Sequence, residues 1–151
     1  MPVTIAPTKT ALIIMDMQNL FLSPAMFGKV RAKGHGAEGL LLSTGIPAAC
    51  KAGIQIVHVT WGISDEELAV LPPALFCGFG YHENGESFQL GSANEVEDDI
   101  GVGDDMGHVK FPDGSIVAAG RLLMRGQWNT ALHGRLLKDF ERSRKTALPD
   151  V

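Results

Sequence analysis

The feature that most constrains the fold of this chain is a short apolar run, Ala11–Met15, which ends abruptly at polar residues. Its sequence, Ala-Leu-Ile-Ile-Met, shows no alternation of apolar and polar side chains, as is typical of a strand buried on both faces of a parallel sheet. Asp16, Gln18 and Asn19 follow directly. Because ligands bind at the carboxyl ends of strands in open α/β sheets, Asp16 is a candidate site residue by position. The alternative is a strand-end carboxylate that bonds to a neighbouring backbone amide.

A helix and a second strand are predicted to follow. Apolar residues recur at helical spacing in residues 36–53, and Gly53 is well placed as the left-handed residue that ends the helix. The predicted buried stripe consists of Leu40, Leu41, Ile46, Ala49 and Cys50. Residues 54–60 then predict a second strand, so the three elements form a βαβ unit with parallel strands.

Residues 61–120 are rich in Gly, Pro and acidic side chains and predict a long loop that serves as a lid or pocket wall. Inside this segment, Ser64 and Glu67 have the spacing of a capping box at the start of a short helix. Pro112, Asp113 and Gly114 predict a turn.

Regular structure is predicted to return with an amphipathic helix over residues 129–143, followed by the start of a third strand in residues 146–151. The apolar stripe of this helix is Leu132, Leu136, Leu137 and Phe140. Two or three doubly buried parallel strands cannot cover their own edges and faces. We therefore predict an α/β fold with a partial doubly wound parallel sheet. A continuation, a second polypeptide or a homo-oligomer partner would complete it.

Composition excludes several classes of function. The chain has 13 Lys and Arg against 17 Asp and Glu, a net charge of −4, which disfavours nucleic-acid binding. No apolar run approaches the ~20 residues of a membrane helix, so no membrane association is predicted. Two cysteines make no disulfide framework and the N-terminus resembles no secretory signal, so we predict a cytoplasmic location.

Three segments resemble isochorismatase-like cysteine hydrolases. Residues 10–22 (Thr-Ala-Leu-Ile-Ile-Met-Asp-Met-Gln-Asn-Leu-Phe-Leu) are similar to the opening strand of that family and the motif after it. Residues 56–62 look like the family's second strand and the residues with which the chain leaves that strand. Residues 119–132 are similar to a segment of one branch of the family found in fungi and bacteria. They occur in the family's order, and the resemblance as a whole extends over nearly the entire chain.

The resemblance implies a six-stranded parallel sheet with helices on both faces, a Rossmann-like three-layer α/β/α fold. It also implies hydrolysis of small amide-like substrates through a thioester, using an aspartate, a lysine and a cysteine. Asp16 matches the aspartate, whereas the lysine and the cysteine are expected beyond residue 151. Residues 1–151 would then be the N-terminal part of a single hydrolase domain, with residues 61–120 as its loop or lid insertion, and would be inactive alone.

Other arrangements stay open. Cys77, with His58 or His82, is an alternative nucleophile, although a core role for His58 is favoured. The chain could also be a non-catalytic relative that acts as a binding or assembly module. Isochorismatases themselves can cleave a vinyl ether with the aspartate as acid and without a cysteine, a route that would still depend on the part of the domain expected beyond residue 151. No metal or other cofactor is predicted, because the acidic residues 95–105 lack the ligand spacing of a calcium loop.

Candidate substrate-binding residues surround the predicted strand ends. Aromatic side chains in this region suit a pocket for a planar substrate, and ordinary packing is the alternative. An arginine beside one of them could bind a substrate carboxylate. The predicted substrate-binding set is Gln18, Phe21, Trp61, Phe76, Arg125 and Trp128.

Overall fold

The computed structural model describes residues 4–26, 36–72, 75 and 101–147. The strands are β1 (Ala11–Met15), β2 (Gln55–Val59), β3 (His108–Lys110) and β4 (Ile116–Ala118). The helices are α1 (Asn19–Leu22), α2 (Gly36–Leu40), α3 (Ile46–Ala52), α4 (Asp65–Ala69) and α5 (Gly134–Ala147). Short 3-10 turns occupy Pro7–Lys9 and Trp128–Thr130. Mixed helices and strands with a small parallel sheet place the chain in the α/β class.

The predicted βαβ unit is confirmed. Strands β1 and β2 pair in parallel, in a register that runs from Ala11 opposite Gln55 to Met15 opposite Val59. Between them, α2 continues through a π-helical stretch, Leu41–Gly45, into α3. Gly53 ends this helix with a φ of 71°, a conformation that glycine adopts without steric cost.

Only one face of the parallel sheet is covered within the described residues. Ile14 of β1 packs with Ile46 of α3 and Leu136 of α5, so both helices contact the same face. On the other face, Ile13 and Met15 are 57% and 59% exposed. The predicted burial of β1 on both faces is therefore not shown in this part of the chain, because no described layer covers the second face.

A second apolar cluster lies beneath the segment between β2 and α5. Its buried members are Leu20, Met26, Val102, Val109, Ala119, Leu122 and Leu123. The predicted capping box of α4 is confirmed by the two hydrogen bonds between Ser64 and Glu67. These apolar contacts hold in place the described parts of residues 61–120, the segment that was predicted from the sequence to be a loop.

The β3–β4 hairpin corrects the prediction of an irregular segment over residues 61–120. His108 lies opposite Ala118 in this antiparallel pair, and the predicted turn at residues 112–114 connects its strands. Each strand has three residues, too few for an alternating pattern to register in the sequence. The described parts at both ends of residues 61–120 therefore contain regular structure, a helix in the first and two strands in the second.

Helix α5 also departs from prediction. It begins at Gly134, about five residues late, because Trp128–Thr130 form a 3-10 turn. It continues to Ala147, so Thr146 is helical and does not begin a strand. The core prediction for Cys50 was wrong: Cys50 is exposed, and its neighbour Ala49 faces the core in the last turn of α3.

Candidate functional site

Asp16 lies at the carboxyl end of β1, where the chain leaves the sheet. Its backbone N–H donates to Val59 O at 2.9 Å, which extends the pairing of β1 with β2. Its φ is 55°, a left-handed conformation that aspartate tolerates better than most residues. The residue is half-buried, and its carboxylate makes no hydrogen bond or ion pair with the residues that the structure describes. The alternative of a carboxylate bonded to a neighbouring amide is thus not observed there.

Gln18, two residues farther on, is completely buried and bonds to backbone atoms. Its Nε2 donates to Trp61 O at 2.6 Å and to Thr130 O at 2.7 Å. Its Oε1 accepts the Trp61 N–H at 2.8 Å. The structure therefore places this predicted substrate-binding residue inside the fold, between the exit of β2 and the segment before α5.

A buried polar network in residues 119–133 was not predicted as part of the site. Asn129 is completely buried. Its Oδ1 accepts the Leu123 N–H at 3.0 Å, and its Nδ2 donates to Ala119 O and Arg121 O, each at 2.9 Å. Asn19 Nδ2 reaches Trp128 O at 2.9 Å. The available sequence signal was two adjacent polar residues, Asn129 and Thr130, ahead of an apolar helix.

The aromatic candidates pack beside this network. Phe21, Trp61 and Trp128 are half-buried against the cluster that contains Leu20. Trp128 also meets Phe111 edge to face, with ring centroids 5.9 Å apart. Both predicted roles, packing and a pocket wall, are compatible with half-buried rings. Phe76, Cys77 and His82 lie outside the described residues.

Arg125 is exposed and is engaged with α4. Its guanidinium contacts Glu67 Oε2 at 3.1 Å and Gly62 O at 3.4 Å. Arg121 similarly contacts Asp65 at 2.6 Å and Gly103 O at 2.7 Å. These exposed ion pairs contribute little stability. A substrate carboxylate would have to compete with Glu67 for Arg125.

Glu38 holds the start of α5 and supports a prediction about stability. Its Oε1 accepts the Arg135 N–H at 3.2 Å, and its Oε2 lies 3.2 Å from His133 Nδ1. A carboxylate is favourable at a helix N-terminus because it meets free N–H groups and the positive end of the dipole.

We expect Glu38→Gln to lower the free energy of unfolding by ~1 kcal/mol in urea titrations. The control Glu141→Gln, at an exposed position in the middle of α5, should change it far less, and equal losses would contradict this role.

His58 supports a prediction about pH. Its ring lies 5.1 Å from that of Phe140, and its Nδ1 is buried without a hydrogen-bond partner among the described residues. Burial lowers the pKa of His58 from its ordinary value of 6.5, while the nearby Asp139 carboxylate opposes this effect. The unfolded chain therefore binds a proton at a higher pH than the folded chain, and stability falls as the pH drops below about 6.5.

The His58 prediction is tested by urea unfolding across this pH range. His58→Leu should remove part of the loss of stability at low pH, whereas the exposed control His108→Leu should leave it unchanged. The same pH dependence in the His58→Leu variant as in the parent protein would contradict the prediction.

The described part of the chain offers no group of three His, Cys, Asp or Glu side chains that could hold a metal ion. Of the acidic residues in 95–105, the described Asp104 and Asp105 accept the backbone N–H groups of Gly101 and Gly107. None of the helices in these described ranges is long and apolar enough to cross a membrane. Among the described residues, Asp16 is the best candidate site, because it ends β1 in a left-handed conformation two residues before the buried amide of Gln18.

Comparisons with known proteins add no assignment. The sequence matches no protein-family model, and no curated protein matches it significantly.

Proposed function

We propose that this chain forms part of an isochorismatase-like cysteine hydrolase that cleaves a small amide-like substrate, with Asp16 as the acid/base. The observation that carries the proposal is the Asp16 carboxylate at the carboxyl end of β1, without a described partner and in a left-handed backbone conformation. Such unusual backbone conformations concentrate at functional sites. The three segments that resemble the family supply the type of reaction.

The proposed chemistry requires three groups. A cysteine thiolate attacks the carbonyl carbon of the amide, and the C–N bond breaks as the amine leaves with a proton. Asp16 takes the thiol proton and returns it to the leaving amine, and water then hydrolyses the thioester. A lysine ammonium nearby stabilises the charges of the thiolate and the carboxylate. We propose that the cysteine and the lysine come from polypeptide outside residues 1–151.

The same proposal extends to the fold. Added strands and helices would complete a doubly wound, three-layer sheet and cover the face that carries Ile13, Met15 and Val59. Residues 1–151 would form one part of a single domain, and residues 61–120 would be its lid. The substrate would contact Phe21, Trp61 and Trp128, with Arg125 available to a carboxylate that displaces Glu67. A cytoplasmic enzyme without a metal remains the expectation.

The second candidate is a non-catalytic module for binding or assembly. The observation that favours it is the exposed apolar face of the parallel sheet, where Ile13, Met15 and Val59 are 57%, 59% and 41% exposed. Contiguous apolar surface of this kind is typical of an interaction site. On this reading, Asp16 would have no chemical role.

An activity assay separates the two candidates. Ammonia release from a panel of small primary amides is measured for the 151-residue chain and for the native assembly purified from its own cells. We expect turnover by the assembly and none by the chain alone. An assembly that binds small amides without hydrolysing any of them would contradict the hydrolase proposal and favour the binding module.

A further inference from the structure

We infer that Gln18 is a positioning residue, whose buried amide fixes the backbone of Asp16 relative to Trp61 and to residues 128–133. The inference rests on the proposed function of Asp16 and names what holds that carboxylate in place. It assigns Gln18 a different role from the substrate contact that the sequence predicted.

A backbone hydrogen bond joins Asp16 to Gln18, two residues farther along the chain. Asp16 O accepts the Gln18 N–H at 2.8 Å, while Asp16 N–H remains bonded to Val59 O at 2.9 Å. Between these bonds the chain adopts the left-handed conformation with a φ of 55°. A non-glycine residue keeps such a conformation only where its surroundings determine it. Gln18 is the first residue after Asp16 with side-chain bonds to other parts of the fold.

The Gln18 side-chain amide forms two hydrogen bonds with the backbone of Trp61, as a residue of a paired strand would. It donates to Trp61 O and accepts from Trp61 N–H, at 2.6 and 2.8 Å, across 43 residues of sequence. Its second N–H donates to Thr130 O, 112 residues away. Both N–H donors of the amide are therefore used, so the Gln18 side chain has no further N–H to offer a ligand.

The main chain on both sides of Gln18 pairs with the segment before α5. Asn19 N–H donates to Ala131 O, and His133 N–H donates to Met17 O, each at 2.9 Å. Gln18 thus lies at the junction of three segments: the residues that follow β1, the residues that follow β2, and residues 128–133. Loss of its amide would remove these hydrogen bonds from the part-buried backbone of Trp61 and from the buried Thr130 O, and would release the turn that carries Asp16.

Asn129 provides a matched control for the experiment. It is also completely buried and its amide also makes three hydrogen bonds to backbone groups, but these hold Leu123, Ala119 and Arg121. The variants Gln18→Met and Asn129→Leu each replace one buried amide with an apolar side chain. Residue-level amide hydrogen exchange and the 13Cα shift of Asp16 are measured by NMR under native conditions.

In Gln18→Met we expect the Asp16 and Trp61 amides to exchange at least about tenfold faster, relative to the slowest core amides, and the Asp16 13Cα shift to move. In Asn129→Leu the Leu123 amide should lose protection, while the rate and shift of Asp16 stay unchanged. Equal effects of both variants on Asp16, or no effect of Gln18→Met, would overturn the inference and leave Gln18 as an ordinary core amide.

If Gln18→Met fails to fold, Gln18→Glu replaces it. A carboxylate retains the acceptor for Trp61 N–H and loses both donated bonds, and protonation restores one donor. The protection factor of Asp16, divided by its value in the parent protein at the same pH, should then rise as the pH is lowered, and a constant ratio would overturn the inference. Neither measurement requires turnover, so an inactive assembly would refute the proposed hydrolysis without affecting this result.

Discussion

Replacement of Asp16 by Asn is expected to lower kcat/KM of the proposed complete hydrolase by ~10²- to 10⁴-fold, the usual contribution of a general acid/base. Asparagine matches aspartate in shape and also tolerates the left-handed backbone, so the φ of 55° should be kept. The amide cannot accept the thiol proton and return it to the leaving amine. The variant therefore tests chemistry with little change in structure.

The control for Asp16→Asn is the same substitution at Asp105, an exposed residue whose carboxylate accepts the Gly107 N–H. Asp105→Asn should retain full activity, and both variants should unfold at the same urea concentration as the parent. Retention of more than a tenth of kcat/KM by Asp16→Asn would contradict the role assigned to Asp16.

The largest expected effect on stability is at Leu136. This side chain of α5 is completely buried against Ile14 and Ile46, and it joins the helix to the parallel sheet. Leu136→Ala removes apolar contacts and leaves a cavity, so we expect the free energy of unfolding to fall by ~2–5 kcal/mol. Urea unfolding followed by circular dichroism measures the change.

Leu137 is the matched control, because it is the next residue of the same helix and is only half-buried. Leu137→Ala should cost clearly less than Leu136→Ala, and helix propensity cannot explain the difference since both variants exchange leucine for alanine. An equal loss would mean that α5 does not dock through Leu136.

Features that depend on neighbouring residues could be predicted from the sequence. The apolar run of β1, the Gly53 helix end and the Ser64–Glu67 capping box each act within a few residues, and all three were found. The β3–β4 hairpin was missed because its strands are only three residues long. The start of α5 was misplaced because residues 128–133 bond to the turn after β1 instead of joining the helix.

The candidate site was predictable in part. The position of Asp16 follows from the end of an apolar strand, whereas the bonds of Gln18 reach residues 43 and 112 positions away. No local pattern reports contacts at such separations. Arg125 was predicted as a carboxylate binder, and its contact with Glu67 depends on how α4 packs against residues 121–125. The partners of these side chains could therefore be identified only from the structure, although the residue types in the sequence had indicated the region around Asp16.

We propose that Asp16 acts in a hydrolase whose cysteine and lysine come from polypeptide outside these residues. Native mass spectrometry of the active protein from its own cells, followed by the denatured mass of each component, tests it most directly. We predict an assembly that contains polypeptide beyond the 16.1 kDa of this chain, either continuous with it or bound one to one, with the cysteine and the lysine in that added part. An amide-hydrolysing species of 16.1 kDa, or a whole multiple of it, would contradict the claim.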